Sequence, residues 1–367
     1  MGVPGSCRDI NILIFDDNSP FVLPLIRSFA GYSHIKLDVV LCTNAPTGVF
    51  RHSRYLRKIR KINCPRTEIT ADEILKVVKE FDTDMIIPTK EWISRLLYNL
   101  RKALEPFVRI HPIPEPEILK IIEDKWELNR WLRDQGFPYS GTAGSSDDWK
   151  GGFPAVLKPR IGTGGEGIVV VKEKSELEPA LERVRRTGHK YFIQEYIEGH
   201  DIDISFFALD GKIVYHTIQK AIITGSMQYS RGIEFIHNQE FFDLAKQIVR
   251  KLDYSGIGHL DFRYDIRKQA YVLIDFNARY WSTIGGSGAM GINFPYRVAC
   301  YTMQGILYPD RYRCGHYFLS LTALRVFWKN LVKGSKIPIR LKDTDLISIL
   351  KDPKPELSIL WKRLFNR

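Results

Sequence analysis

Two apolar, strand-forming runs joined by a short polar turn constrain this chain more than any other segment. Leu260 to Asp265 forms the first run, Asp265 to Lys268 the turn, and Tyr271 to Arg279 the second run. Such a pair folds as an antiparallel hairpin, and period-two alternation puts Asp275, Asn277 and Arg279 on one face of the second strand. With Asp261 on the first strand, two carboxylates and a carboxamide oxygen converge. Hard oxygen ligands of this kind suit Mg²⁺, which takes one or two carboxylates and completes its shell with water and substrate phosphates. The cluster predicts a nucleotide bound through magnesium. An isolated Asp-x-Asn is more simply a solvated hairpin; other segments of the chain decide between the two readings.

The first of these is Phe153 to Pro159, a strand ending in Lys158, followed by Gly162, Gly164, Gly165 and Gly167 and then the β-branched run Ile168 to Val171. Glycine lets backbone N–H groups close on phosphate oxygens with no Cβ in the way, and the lysine supplies counter-charge. No Gly-Lys-Ser/Thr closes the loop, and a strand follows it where a dinucleotide fingerprint needs a helix. Strand, glycine flap, strand covers phosphates from above, as a protein-kinase flap does. A snorkelling Lys158 at an exposed strand end is the plainer alternative. Further on, Tyr191 to Ile204 runs from an apolar strand through Gly199 into a second alternating strand. It reads as a hinge on which a flat base could hydrogen-bond, with Asp201 near ribose hydroxyls.

In this order the motifs resemble the ATP-grasp superfamily over roughly residues 8 to 305. The resemblance implies an α/β chain with an N-terminal doubly wound (pre-ATP-grasp) domain and a two-lobed α+β ATP-grasp fold. It also implies ATP held by Lys125 and Lys158 under Gly162, Gly164, Gly165 and Gly167, and an adenine hinge at Gln194, Glu195, Tyr196 and Ile197. Asp201 is implied as the ribose acceptor, and Asp261, Asp275 and Asn277 as ligands of Mg²⁺, with Mn²⁺ as the alternative ion. Lys220 is similar to a further phosphate-binding lysine. Two positions depart from the family, which usually has Glu at Asp275 and Asn-Pro-Arg where this chain has Asn277-Ala278-Arg279. The implied activity is an ADP-forming ligase that activates a carboxylate as an acylphosphate for attack by an amine. Arg279 would fork onto the substrate carboxylate or the phosphate oxygens. Activation of bicarbonate, phosphorylation without ligation, and a non-catalytic ATP-binding module stay open.

Upstream, the apolar run Ile10 to Phe15, the strands Leu37 to Cys42 and Asp84 to Pro88, and the capping box Thr70 to Glu73 predict a small doubly wound domain, with Asp17 to Pro20 as a helix cap. Proline-rich His111 to Pro116 predicts a linker. Expected boundaries are 1–114, 115–307 with a flap subdomain at about 138–195, and a tail 308–367. The basic segment Arg51 to Lys61 is expected as a solvated helix face, nucleic-acid binding being disfavoured because no aromatic platform interleaves it. Its Ser53-Arg54-Tyr55 triplet resembles a segment that faces the active site in carboxylate–amine ligases of the family.

Residues 311–367 carry 13 Lys and Arg against 4 Asp and Glu, so the tail holds +9 of the chain's net +12. Leu357 to Phe365 has helical apolar spacing. It is expected to dock on the ATP-grasp domain with its basic face in water, or to touch a membrane surface or an acidic partner. Five cysteines without metal-site spacing and no apolar leader or span predict a reduced, cytoplasmic protein. Small-molecule carboxylate and amine substrates are what the family resemblance implies, with a homodimer as an option.

Overall fold

Ile10–Asp16 forms strand β1, its side chains buried on both faces, which is why the run is continuously apolar. The computed structural model describes residues 9–365 except 18, 43–47, 63–64, 163, 225–229 and most of 320–339. β1 lies between β2 (Ile35–Cys42) and β4 (Met85–Pro88) in an all-parallel sheet of order β3-β2-β1-β4-β5, where β3 is Leu56–Ile62 and β5 is Arg109–Ile110. Helices α1 (Val22–Ser28), α2 (Ala71–Phe81) and α3 (Glu91–Leu104) connect it. The capping box forms: Thr70 accepts from Glu73 N, and the Glu73 carboxylate accepts from Thr70 N. The cap expected from Asp17 to Pro20 does not form as such; Phe21 occupies the cap position of α1 with no side-chain cap of its own, and Ser19 Oγ accepts from Phe21 N at 3.3 Å.

Segment 51–61 is not a helix face. Leu56–Ile62 is the sheet's edge strand, and its Lys and Arg side chains are mostly outward, the arrangement that keeps an open edge from pairing with another chain.

After α4 (Pro116–Glu123), Asp124 caps α5 (Lys125–Asp134) by accepting from Trp126 N and Glu127 N, which fixes Lys125 at the first helical position. A four-stranded sheet of order β6-β9-β7-β8 follows, from Thr142–Ala143, Tyr191–Glu195, Ala155–Pro159 and Val169–Val171, backed by α6 (Lys174–Arg185). The six-stranded sheet has order β14-β13-β10-β11-β12-β15 and is antiparallel. Its strands are β10 (Gly199–Leu209), β11 (Lys212–Thr224), β12 (Ser230–Ile236), β13 (Gly256–Asp265), β14 (Ala270–Asn277) and β15 (Gly315–Phe318). α7 (Gln239–Lys251) covers one face; α8 (Ile284–Ala289) and α9 (Phe294–Gln304) share a core with the N-terminal sheet, in which Ile12, Leu25, Tyr280, Trp281 and Phe294 are all buried.

The tail departs from expectation twice. Its Gly315–Phe318 strand belongs to the six-stranded sheet, where it pairs with β12. Its helices α10 (Leu346–Lys351) and α11 (Lys354–Phe365) dock on the N-terminal α/β domain instead of the half that follows it, and they do so through acidic residues. Arg27 donates to Glu356 at 2.6 and 2.7 Å and pairs with the buried Asp352 at 3.3 Å; Ser53 Oγ and Arg54 N also donate to Asp352, each at 2.8 Å. The Ser53-Arg54-Tyr55 triplet therefore meets the tail and not the active site. Arg27→Ala strips a partly buried carboxylate pair of its cation and is expected to cost about 2–3 kcal/mol. Faster proteolysis at the C-terminal helices and a lower Tm are the readouts; unchanged protection would show that Arg27 does not hold the tail. No helix among the described residues is long and apolar enough to cross a membrane.

Candidate active site

Directly opposed residues of an antiparallel sheet share a face. Register therefore sets Gln219 beside Asp203, Asp203 beside Asp261, and Asp261 beside Asp275, one polar row across four strands. The next row on that face is Thr217, Ser205, His259 and Asn277. Between them, Ile218, Ile204, Leu260 and Phe276 point the other way into the core under α7.

The polar rows form the floor of a cavity of about 380 Å³ whose lining includes Lys125, Lys158, Gly162, Gly164, Gly165, Asp201, Asp261, Asp275, Asn277 and Arg279. The wall opposite the metal-ligand candidates is the glycine flap between β7 and β8. Gly164 and Gly165 have φ of +66° and +72°, a region that a side chain makes costly. A Cβ on Gly167 (φ +76°) would come within 2.6 Å of the Tyr191 hydroxyl. Lys125 Nζ donates to Gly162 O at 2.7 Å and lies 3.2 Å from Asp275 Oδ1. Lys158 Nζ donates to Ile274 O at 2.6 Å, a carbonyl available because a bulge between Asp261 and Phe262 takes Ile274 out of the ladder. Burial pushes the Lys158 ammonium down to about 8, with Asp275 pulling it up and Lys125 pulling it down.

The carboxylates are organised by one chain of hydrogen bonds. Ser205 Oγ meets His259 Nδ1 at 2.8 Å, and His259 Nε2 lies 2.9 Å from Asp261 Oδ1. Asn277 Nδ2 donates to Asp261 Oδ2 at 3.0 Å, and Arg279 donates to Asn277 Oδ1 at 2.6 Å. Arg279 Nε in turn lies 3.1 Å from Glu91 Oε1, and its guanidinium stacks 4.5 Å over Phe21. The N-terminal domain thus supplies two of the contacts that hold the arginine. Burial raises the Asp203 carboxyl well above the usual range, and Asp261 and Asp201 add repulsion. Burial also works against Asp261, but His259, Arg279 and Lys158 outweigh it and hold that carboxyl below its usual value.

Asp203, His259 and Asp261 bring one ligand atom each within 4.8 Å of one another. Together with Asp275 and Asn277 this is an oxygen-rich donor set facing two buried ammonium groups. It fits a divalent cation bridging to phosphates. His259 is oriented by Ser205 and stacks on Trp281 at 5.4 Å. His259→Ala should weaken divalent-ion affinity about 10- to 100-fold by freeing Asp261 to rotate. Mn²⁺ titration followed by electron paramagnetic resonance checks this; unchanged affinity would remove His259 from the site's support.

Several expected site residues are not part of the cavity's lining. Gln194, Glu195, Tyr196 and Ile197 are not among the residues lining the cavity. The Gln194 amide is buried and donates to Ser140 Oγ at 2.7 Å, while Glu195 accepts from Gly141 N and Lys268 Nζ. Lys220 sits on the face of β11 opposite to Gln219, in register with the core residue Ile202, and does not line the cavity. Asp201 does line it, held by Arg263 at 2.8 Å. Asp203, Gln219, His259, Phe21, Glu91 and Trp281 escaped sequence reading. The alternation Asp201-Ile202-Asp203-Ile204-Ser205 carried a signal for Asp203, but only strand register places it beside Asp261.

Residues 122–283 match the ATP-grasp domain family. Phosphoribosylamine–glycine ligase of Pyrococcus horikoshii is 27% identical over 232 residues, covering 56% of this chain and 49% of that protein. The arginine-specific large chain of carbamoyl phosphate synthase of Bacillus subtilis is 21% identical over 217 residues, 54% of this chain and 20% of that one. This chain therefore spans about half the length of the first relative and a fifth of the second. Among solved structures, biotin carboxylase of Campylobacter jejuni in a β-γ-ATP complex aligns with TM-score 0.65 at 17% identity, over 83% of this chain and 74% of that one. L-amino acid ligase of Bacillus licheniformis aligns with TM-score 0.60 at 17% identity, over 85% and 80%. These two likenesses show the shared fold.

Proposed function

From a chain whose residues 122–283 form an ATP-grasp domain, we propose an ATP-dependent, ADP-forming ligase that joins a small-molecule carboxylate to an amine. The observation that carries the reading is the cavity itself: the row Asp203, Asp261, Asp275 on its floor, Lys125 and Lys158 facing that row, and Arg279 at its far end beside Phe21 and Trp281. Names of relatives add support, since phosphoribosylamine–glycine ligase and L-amino acid ligase are both ligases.

Lys125 and Lys158 bind the β- and γ-phosphates and draw charge from the transferring group, and the glycine flap closes over it and excludes water. Mg²⁺ or Mn²⁺, when held by Asp261, Asp275 and Asn277, supplies neutralisation of the phosphate oxygens. Arg279 forks onto the acceptor carboxylate. Glu91 and Asn277 hold the guanidinium plane while it does so. A carboxylate oxygen bonds to the γ-phosphorus as the bond to the bridging oxygen breaks, releasing ADP. The amine then attacks the acyl carbon, phosphate leaves, and the amine loses a proton. Side chains do no covalent work in the first step; positioning and charge neutralisation carry it.

The aromatic walls Phe21 and Trp281 favour an organic acid over bicarbonate. ADP release measured against a panel of carboxylates with and without amines tests the reading. Turnover that needs both partners is expected. Turnover with bicarbonate alone would replace it with bicarbonate activation, and ATP binding without turnover would make the chain a non-catalytic module. A homodimer in a cytoplasmic setting belongs to the same reading; Cys300 and Cys314 form no disulfide, and gel filtration tests the dimer.

A further inference from the structure

The tail holds +9 of the chain's net +12, and three of its four acidic residues are engaged in ion pairs. Asp352 is buried against Arg27, Ser53 and Arg54; Glu356 pairs with Arg27; and Asp343 is buried against Arg313 at 2.5 Å. Lys342, Lys351 and Lys354 are exposed. Outward charge on this surface is therefore positive, although the tail's sequence holds both signs.

Large apolar side chains share that outward surface. Leu350 is 71% exposed, Leu357 57%, Leu360 53% and Trp361 65%. Leu357, Leu360 and Trp361 are neighbours at helical i, i+3 and i+4 spacing. A docked helix normally turns such residues inward. Here the helix is anchored by carboxylates, and Leu357 and Leu360 are left in water.

We propose that this face, formed by α10 and α11, binds an anionic lipid surface. Apolar side chains flanked by lysines are the composition that seats a helix in a headgroup layer, the leucines and tryptophan entering the acyl boundary while the ammonium groups meet lipid phosphates. Charge decides the occupant. Lys351 and Lys354 are exposed on these helices while Glu356 is paired with Arg27, so a second copy of this chain on the same face would bring like charges together, whereas an anionic bilayer supplies the counter-charge. The anchoring through Asp352 and Glu356 to Arg27 also fixes the contact's direction: the N-terminal domain is held next to the membrane, and no described residue of α10 or α11 lines the active-site cavity.

The test is co-sedimentation of the full chain with phosphatidylcholine vesicles, with and without phosphatidylserine. Binding is expected only with the anionic lipid, and it should fall away as salt is raised, because exposed charges are screened. The triple variant Leu357→Ser, Leu360→Ser, Trp361→Ser and the double variant Lys351→Glu, Lys354→Glu alter exposed positions. Each should bind anionic vesicles at least about tenfold more weakly, with thermal unfolding unchanged. Failure of the full chain to bind anionic vesicles at low salt, equal binding to neutral vesicles, or unaltered binding by both variants overturns the proposal. Concentration-dependent self-association that the triple variant abolishes, without vesicle binding, overturns it in favour of a second copy of the chain.

Discussion

Asp275→Asn is expected to lower ADP release by about a hundredfold or more, with almost no change in the Tm of the unliganded protein. The substitution keeps the side chain's shape and removes one charge from the row proposed to face the phosphates. Asp275 is opposed to Asp261 across the hairpin and lies 3.2 Å from Lys125, so its loss leaves that ammonium without a carboxylate and the cation with one fewer ligand. Stability changes little because Asp275 is only partly buried, and the repulsion from Asp261 that its neutralisation relieves offsets the lost pairing with Lys125. Full turnover in this variant would exclude the hairpin as the metal site. Asp275→Glu restores the charge with one more methylene and is expected to retain metal binding, which separates the effect of charge from that of reach.

Lys158→Ala should weaken ATP binding roughly tenfold or more, the loss of one charge-assisted bond of about 1.5–3 kcal/mol. Calorimetry measures it, and unchanged affinity would take the flap lysine out of the nucleotide site. The pH dependence follows from the buried ammonium. Burial lowers it to about 8 without ligand, and bound phosphates favour its charged form and so raise it. Affinity is therefore fully present below about 8 and falls as pH rises through it, and binding above that point takes up a proton. Comparing binding heats in buffers of different ionisation enthalpy reveals this uptake, which should vanish in Lys158→Ala. A flat affinity across the range would show that Lys158 does not meet the phosphates.

Much of the fold was legible because its elements obey local periods. Ile10 to Phe15 reads as a strand buried on both faces, Thr70 to Glu73 as a cap, and Leu260 to Arg279 as a hairpin; each forms where its own residues put it. The basic segment around Leu56–Ile62 misled for a physical reason: charges that read as one face of a helix also protect the open edge of a sheet. The tail misled in the opposite sense. Its apolar spacing suggested a buried face, but Arg27 captures Asp352 and Glu356, and that ion-pair network sets which side of the helix turns inward.

By itself the sequence determined the hairpin and its alternation, the glycine flap, and the lysine placed at the start of a capped helix, because each depends only on residues within one or two turns or strands of one another. Tertiary structure alone decided which groups meet. Asp203 reaches Asp261 only through the register of β10 with β13, and Gln219, not Lys220, enters the cavity because of the register of β11 with β10. Glu91 and Phe21 reach Arg279 from a separate domain, far away along the chain. Period two names two faces for every strand, but a one-residue slip exchanges them, so only packing of Ile204, Leu260 and Phe276 against the α7 side selects the face that carries the chemistry.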